Sequence, residues 1–203
     1  MKKVLIAFTV ILLSSSLYAQ FGELLRFNSG GIINVQWDMA KPIGSMSDFV
    51  NTNSFKGFNI DYRHCYKKNI IIGGRTGLNN FYENRGLTNI KDGSSTSYLP
   101  IDHKISAVPM MFVVDYLVKS EKFIPYAGIG IGAYFINSSV ISTNTITENT
   151  FHFGVSPEVG ITIPFIISNF GLNACTKYNF ALGAGSSSGY SWFDFNIGLS
   201  FMY

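Results

Sequence analysis

Three side chains near residue 155 are of the types that a serine hydrolase uses. His152, Ser156 and Glu158 fall in the stretch FHFGVSPEVG, where their even spacing places them on one face of an extended chain. His152 and Ser156 are four positions apart, which is about 13 Å along a strand at roughly 3.3 Å per residue. A base must come within about 3.2 Å of its nucleophile. We therefore expect no catalytic residues and no enzymatic activity.

Two further patterns could indicate a bound ligand. The three histidines, His64, His103 and His152, fall on different predicted strands or faces, so their spacing does not support a metal site. The glycine run in PYAGIGIGAYF (125–135) is similar to a phosphate-binding loop. Such a loop lies at a strand-to-helix turn, and no helical period follows here. We interpret these glycines as making room inside a narrow barrel, and we expect no cofactor.

These side chains lie in segments where apolar and polar residues alternate. The pattern is clearest in the final stretch, YSWFDFNIGLSFMY (190–203), whose odd-numbered residues from Phe193 onward are all apolar or aromatic. Period two over such a length predicts a β-strand about long enough to cross a bilayer. The alternation predicts eight strands, at about residues 31–38, 55–66, 70–81, 103–118, 123–137, 150–165, 170–182 and 190–203.

The connections between these strands differ in length in a regular way. The second, fourth and sixth connections are short turns, whereas the polar segment 39–54 and the irregular stretch 82–102 are long. Bacterial outer-membrane barrels have short turns at one end and longer loops at the other. The sequence therefore predicts an all-β fold, an eight-stranded antiparallel up-and-down transmembrane β-barrel.

Charged residues indicate which face of the strands points inward. The mostly small or polar face carries seven of them: Asp61, Arg63, Arg75, Asp115, Glu158, Lys177 and Asp194. The other face is nearly uncharged over its middle, as contact with lipid requires, because a basic residue at mid-bilayer costs about 2–4 kcal/mol. This distribution disfavours a lipocalin-like soluble barrel, which encloses an apolar face. We expect a salt-bridged network that plugs the lumen, the alternative being an ion path.

The first 19 residues predict a signal peptide, with a basic start (Lys2, Lys3), an apolar stretch (4–13) and cleavage after Ala19. Residues 20–203 would form the barrel domain. Only 13% of the residues are charged, and no later stretch has the roughly 20 consecutive apolar residues of a membrane helix. Without the leader, 13 basic residues face 12 acidic ones. Such a balance gives no reason to expect a nucleic-acid partner.

The two cysteines fall on the polar face of the predicted second and seventh strands. These strands are not neighbours in an up-and-down barrel, and a disulfide needs Cα atoms within about 7 Å. We expect Cys65 and Cys175 to remain thiols that face the lumen.

Three segments, NIIIGGRTGLNNFYE (69–83), PYAGIGIGAYF (125–135) and GVSPEVGITIPF (154–165), resemble the small outer-membrane β-barrel proteins common in Bacteroidetes, which are OmpA- and OmpX-like barrels. The resemblance covers nearly the whole mature chain. It implies location in the bacterial outer membrane. It also implies that the barrel-assembly machinery reads the final strand, with Leu199, Phe201 and Tyr203 as recognition positions.

The expected function is that of a non-enzymatic outer-membrane barrel with a plugged lumen, whose external loops serve surface interaction or envelope integrity. Expected partners are outer-membrane lipids, lipopolysaccharide and the assembly machinery, and the barrel would be a monomer. Two alternatives remain: a narrow pore or hydrophobic-solute carrier of the OmpW type, and a lipid A-modifying enzyme.

Overall fold

The computed structural model describes residues 30–92, 95–118, 123–165, 168–183, 185 and 188–203. Eight antiparallel strands form a closed barrel in which each strand pairs with its neighbours in the sequence. This confirms the predicted fold. The predicted signal peptide (1–19) and the turn at 119–122 lie outside the described residues.

The elements follow one another with a single short helix among the strands. They are β1 (Gly31–Ile43), α1 (Ser45–Phe49), β2 (Ser54–Lys67), β3 (Ile70–Asp92), β4 (Ser95–Leu117), β5 (Ile124–Ile141), β6 (Thr145–Pro164), β7 (Phe170–Ala181) and β8 (Tyr190–Met202).

The last strand closes the barrel by pairing with the first. β1 and β8 stay in one register from Ile32 opposite Met202 to Ile43 opposite Ser191. At the end of the chain the Gly31 amide donates to the Tyr203 carbonyl at 2.9 Å, and the Tyr203 amide donates to the Gly31 carbonyl at 3.1 Å. Because both edges are paired, the long apolar final strand has no open edge that could recruit another chain.

Three predicted loops are shorter than expected because strand pairing continues into them. Residues 82–102 were expected to be irregular, but β3 and β4 pair as a hairpin from Tyr82 opposite Lys104 to Asp92 opposite Ser95. β5 and β6 likewise continue into the predicted loop 138–149. Segment 39–54 contains the end of β1 and α1. In these extensions the apolar–polar alternation of the sequence fades, while strand pairing continues.

Burial follows the predicted faces. Large apolar side chains are exposed on the outer wall; examples from different strands are Val35, Ile60, Phe112, Ile131, Phe153, Leu172 and Leu199. The buried side chains, by contrast, include all seven of the predicted inward charges. The barrel therefore has apolar residues outside and ionic groups inside.

The lumen is filled by three layers of side chains. The turn-end layer is apolar and consists of Ile32, Cys65, Ile71, Leu117, Ile124, Tyr126 and Cys175. A charged layer follows. The loop-end layer is again apolar and includes Met46 and Val50 of the first connection with Phe81, Ile105, Met111, Tyr134, Ile136 and Trp192.

Gly160 gives the lumen room for a large side chain. It lies opposite Tyr126 of β5 and Cys175 of β7. A Cβ atom there would come within 2.5 Å of the Tyr126 ring and 2.6 Å of the Cys175 Cβ. The absence of a side chain at Gly160 thus allows Tyr126 to lie across the barrel.

We expect Gly160→Ala to lower the free energy of unfolding by about 1–3 kcal/mol, because the added methyl group overpacks the interior. The measurement is urea unfolding of the detergent-refolded protein. Gly74→Ala is the matched control, since Gly74 faces outward and the nearest atom to its added Cβ would be 3.8 Å away. Equal effects of the two substitutions would contradict the packing argument.

Candidate functional site

Two arginines organise the charged layer. The Arg63 guanidinium lies 3.0 Å from Asp61, 3.0 Å from Asp115 and 2.9 Å from Glu158. The Arg75 guanidinium lies 2.9 Å from Asp61 and also pairs with Glu158. Four strands contribute to this cluster, and all five side chains are buried. Five of the seven predicted inward charges are thus brought into direct contact.

The strand register explains why these charges meet. Asp61 of β2 lies directly opposite Arg75 of β3. Gly128 of β5 lies between Asp115 of β4 and Glu158 of β6. A Cβ atom at Gly128 would come within 1.9 Å of the Asp115 carboxylate. The glycine run therefore provides space beside the cluster, as the sequence predicted.

An aromatic ring covers the cluster on the turn side. The Arg63 guanidinium carbon lies 4.8 Å from the centre of the Tyr126 ring, a distance at which a desolvated cation–π contact is favourable. The Tyr126 hydroxyl is 3.3 Å from Asn173 Oδ1. The sequence analysis did not identify Tyr126 as part of this cluster, because a single inward-facing tyrosine has no spacing pattern that would indicate its partner.

The two remaining predicted charges do not join the arginine cluster. Lys177 lies opposite Glu158 on one side and Asp194 on the other, yet its ammonium donates to Gln36 Oε1 at 3.4 Å. Among the described residues it forms no ion pair with a carboxylate within 4.0 Å. Lys177 therefore lies between the arginine cluster and a second acidic group.

That second group consists of two carboxylates and two amides. Asn79 Nδ2 donates to Asp38 at 2.9 Å and to Asp194 at 3.4 Å, and Asn179 Nδ2 donates to Asp194 at 2.7 Å. Within the described part of the chain, Asp38 Oδ1 has no hydrogen-bond partner. Neutral amides are thus the direct partners of this carboxylate pair.

Asp38 is the charge that the sequence analysis left out. Asp38 lies on the same inward face of β1 as Asn34 and Gln36, so the alternation in the sequence could have identified it as buried. Its exposed fraction is 1%. Counting it, the buried charges are five acids (Asp38, Asp61, Asp115, Glu158 and Asp194) against three bases (Arg63, Arg75 and Lys177). Among the described residues, the buried charges therefore have an excess of two acids.

The hydrolase-like residues are separated by their partners. His152 contacts the Leu182 carbonyl through Nδ1 and Thr150 Oγ1 through Nε2, both at 2.7 Å. Ser156 accepts a hydrogen bond from Arg75 at 3.2 Å. Glu158 is held by the two arginines. The structure does not bring the three together.

The described residues include no cluster of three or more His, Cys, Asp or Glu side chains suited to a metal ion. They likewise include no helix with the length and apolar character needed to cross a membrane. Cys65 and Cys175 are both buried and form no disulfide.

The first external connection covers the loop end of the lumen. Met46 and Val50 belong to the loop-end layer. Arg85 of β3 donates to the carbonyls of Asp48 and Phe49 at 2.6 and 3.0 Å. His103 of β4 stacks on the Phe49 ring at 4.2 Å. We call this covering segment, residues 44–51, the lid; sequence reasoning missed it.

The proposed assembly positions lie on the outer wall. Leu199, Phe201 and Tyr203 are exposed. Phe201 packs near Phe170 with 5.2 Å between ring centres, and the Tyr203 hydroxyl donates to the Tyr62 hydroxyl at 3.0 Å. Their role in recognition stays a prediction.

Comparison with known proteins defines the class of fold. No family model matches the chain, and no curated protein matches it. Solved structures do match, among them outer-membrane and surface proteins of bacteria. The chain is thus similar in fold to small bacterial outer-membrane barrels.

Three of these structures illustrate the likeness. Neisserial surface protein A, NspA, has a TM-score of 0.58 at 14% identity, covering 84% of this chain and 96% of that one. Ail of Yersinia pestis, in complex with the heparin analogue sucrose octasulfate, has 0.53 at 13%, covering 87% and 99%. The N-terminal barrel domain of Pseudomonas aeruginosa OprF has 0.50 at 10%, covering 87% and 100%. Identities this low show the fold alone.

The two acidic groups should respond differently to neutralisation. Asp61→Asn should lower the free energy of unfolding by about 3 kcal/mol, because it leaves two buried arginines short of a partner. Asp38→Asn removes one of the two excess acids and keeps an acceptor for Asn79, so stability should be unchanged or higher. Urea unfolding in detergent measures both. An equal loss in the two variants would contradict the division into two groups.

Proposed function

We propose that the chain is an integral outer-membrane barrel with a closed lumen and no enzymatic activity, which presents its external hairpins at the cell surface. The observation that supports this proposal is the distribution of side chains, with apolar residues outside and charged residues inside. Exposed apolar residues cover the outer wall, while eight charged side chains are buried in the lumen. In water this arrangement would expose a large apolar surface and bury ions at high cost. In lipid the apolar wall is favourable, and the lumen is then the place where charged side chains avoid contact with hydrocarbon.

Aromatic residues at both ends of the outer wall support the proposal that the barrel spans a membrane. Tyr66, Tyr116 and Phe170 are exposed at the turn end, and Trp37 and Phe135 are exposed towards the loop end. Aromatic side chains favour the two membrane–water interfaces. The apolar wall between these ends would then lie in the hydrocarbon region.

The filling of the lumen supports a closed barrel. The charged layer lies between two apolar layers, and the lid covers the loop end. An eight-stranded barrel has an interior only just wide enough for side chains. A continuous aqueous path for ions would require the charged layer and both apolar layers to rearrange.

The external ends are the parts suited to surface interaction. The hairpin of β3 and β4 continues about ten residue pairs beyond the level of Asn80, and β5 and β6 pair out to Ile141 opposite Thr145. Loops and extensions on a rigid scaffold commonly carry binding sites. We propose that these hairpins contact partners outside the cell or maintain the envelope.

Export and assembly complete the proposal. The leader at 1–19 would direct the chain across the inner membrane, and the final strand would be read by the assembly machinery at Leu199, Phe201 and Tyr203. The mature chain (20–203) would insert as a monomer, in contact with membrane lipids and lipopolysaccharide.

A hydrophobic-solute carrier is the second candidate, and one observation favours it. The loop-end layer brings Phe81, Tyr134 and Trp192 together beneath the lid. The centre of the Trp192 ring is 6.1 Å from that of Phe81 and 5.1 Å from that of Tyr134. An apolar solute could contact this layer after the lid moves. Passage further inward would meet the charged layer.

Lysine substitutions at two depths test membrane insertion. Ile197→Lys, on the outer wall within β8, should cost about 2–4 kcal/mol in refolding into lipid vesicles. Ile146→Lys is the matched control, because Ile146 is 73% exposed on the external end of β6 and should tolerate the change. Unboiled electrophoresis measures the folded fraction. Equal tolerance of both, with a wild type that stays monodisperse in buffer without detergent, would refute the proposal.

Planar-bilayer recordings test the closed lumen. The wild-type barrel should give no discrete conductance steps, because its lumen is filled. Removal of the external hairpin at 86–100 should leave it closed, since the charged layer lies within the barrel, but should abolish any binding of whole cells to a surface partner. Stepwise conductance in wild type would favour the pore alternative.

A further inference from the structure

A groove of about 240 Å³ lies on the outer wall where the pairing of β1 with β2 is irregular. The register between β1 and β2 shifts between Asp38 and Ala40, whereas β1 continues to pair with β8 as far as Ile43. The groove has apolar side chains from three strands along its length: Met39, Phe55, Phe193 and Phe195. Its shape and lining suit a hydrocarbon chain.

A cation lies at the external rim of this groove. Lys41 lines it and is exposed, and it lies opposite Phe193 in the register of β1 and β8. In the described part of the chain Lys41 forms no ion pair with a carboxylate. Asn53, also exposed, lines the same rim. Asp194 also lines the groove, but its side chain is buried and bonds to Asn79 and Asn179 in the lumen. The groove thus combines an apolar floor with one exposed positive charge towards the loop end.

Two other grooves on the outer wall lack this combination. One of about 490 Å³ is lined by Ile60, Tyr62, Met110 and Phe112, and the Arg75 side chain beside it is turned into the lumen. Another of about 260 Å³ is lined by Val108, Phe135, Phe151 and polar uncharged residues. These grooves suit acyl chains in general, without a charged headgroup.

We propose that the groove beside Lys41 is a binding site for the phosphorylated glycolipid of the outer leaflet, with Lys41 on a phosphate of lipid A and one acyl chain along Phe55, Phe193 and Phe195. Charge complementarity and depth carry the assignment. The loop end of the barrel faces the outer leaflet if the barrel inserts as proposed, so this inference depends on the proposed function. A basic residue at an anionic membrane surface contributes about 1 kcal/mol.

Trp37 provides a local reporter for the test. The sequence has two tryptophans, and Trp192 is fully buried in the lumen, whereas Trp37 is 49% exposed. Trp37 lies on the same outward face of β1 as Met39 and Lys41, and its indole N–H donates to the Phe55 carbonyl at 2.8 Å. Lipid that enters the groove therefore changes the surroundings of Trp37.

The experiment uses full-length mature protein refolded into vesicles of brominated phosphatidylcholine, which quenches Trp37. Purified lipid A is added in steps, and displacement of the brominated lipid restores fluorescence. The lipid A concentration at half-recovery should rise about five-fold in Lys41→Gln. Lys104→Gln is the matched control, because Lys104 is exposed on β4, away from the groove, and should behave like wild type.

The outcomes separate the possibilities. Equal half-recovery in wild type and Lys41→Gln would overturn the site, as would equal effects of the two lysine substitutions. Equal recovery with phosphatidylglycerol would overturn the glycolipid assignment in favour of an anionic phospholipid. Recovery that fails only with dephosphorylated lipid A would support the phosphate contact. A wild-type chain that shows no folded band on unboiled electrophoresis would refute insertion itself, which is a distinct failure.

Discussion

The arrangement of the whole barrel depends on how its buried charges are paired. A wall that is apolar on the outside leaves the lumen as the place for charged side chains within the barrel, and buried charges are stable only with close partners. Arg63 and Arg75 meet this requirement for three carboxylates at once. Cross-strand ion pairs of this kind join β2, β3, β4 and β6, so the network also fixes the relative position of strands that are far apart in the sequence.

Space is the second constraint, and small residues meet it. Gly128 leaves room for Asp115, and Gly160 leaves room for Tyr126. These large side chains in the lumen therefore lie opposite glycine residues of the adjacent strands. Dense interiors tolerate few changes of volume, so the sizes of facing residues on neighbouring strands must match.

Much of the fold was predictable because each strand touches two different environments. The period-two pattern identified eight strands, and the phase of Asp61, Arg63 and Glu158 identified the inner face. The extensions of β3 to β6 were not predictable in this way, since the apolar–polar alternation fades there while strand pairing continues. The lid was missed for a related reason: Met46 and Val50 are isolated apolar residues in a polar segment. Asp38 was on the correct face, but its pairing through Asn79 depends on a three-dimensional neighbour that spacing does not reveal.

The hydrogen bonds between the lid and strands β3 and β4 involve the backbone of the lid residues. Arg85 donates to the main-chain oxygens of Asp48 and Phe49, and Glu83 accepts from the main-chain amide of Asn51. The side chains of Asp48 and Asn51 are therefore not needed for these bonds. If the lid faces the cell exterior as proposed, selection by antibodies or phages could change Asp48 and Asn51 without loss of these backbone bonds.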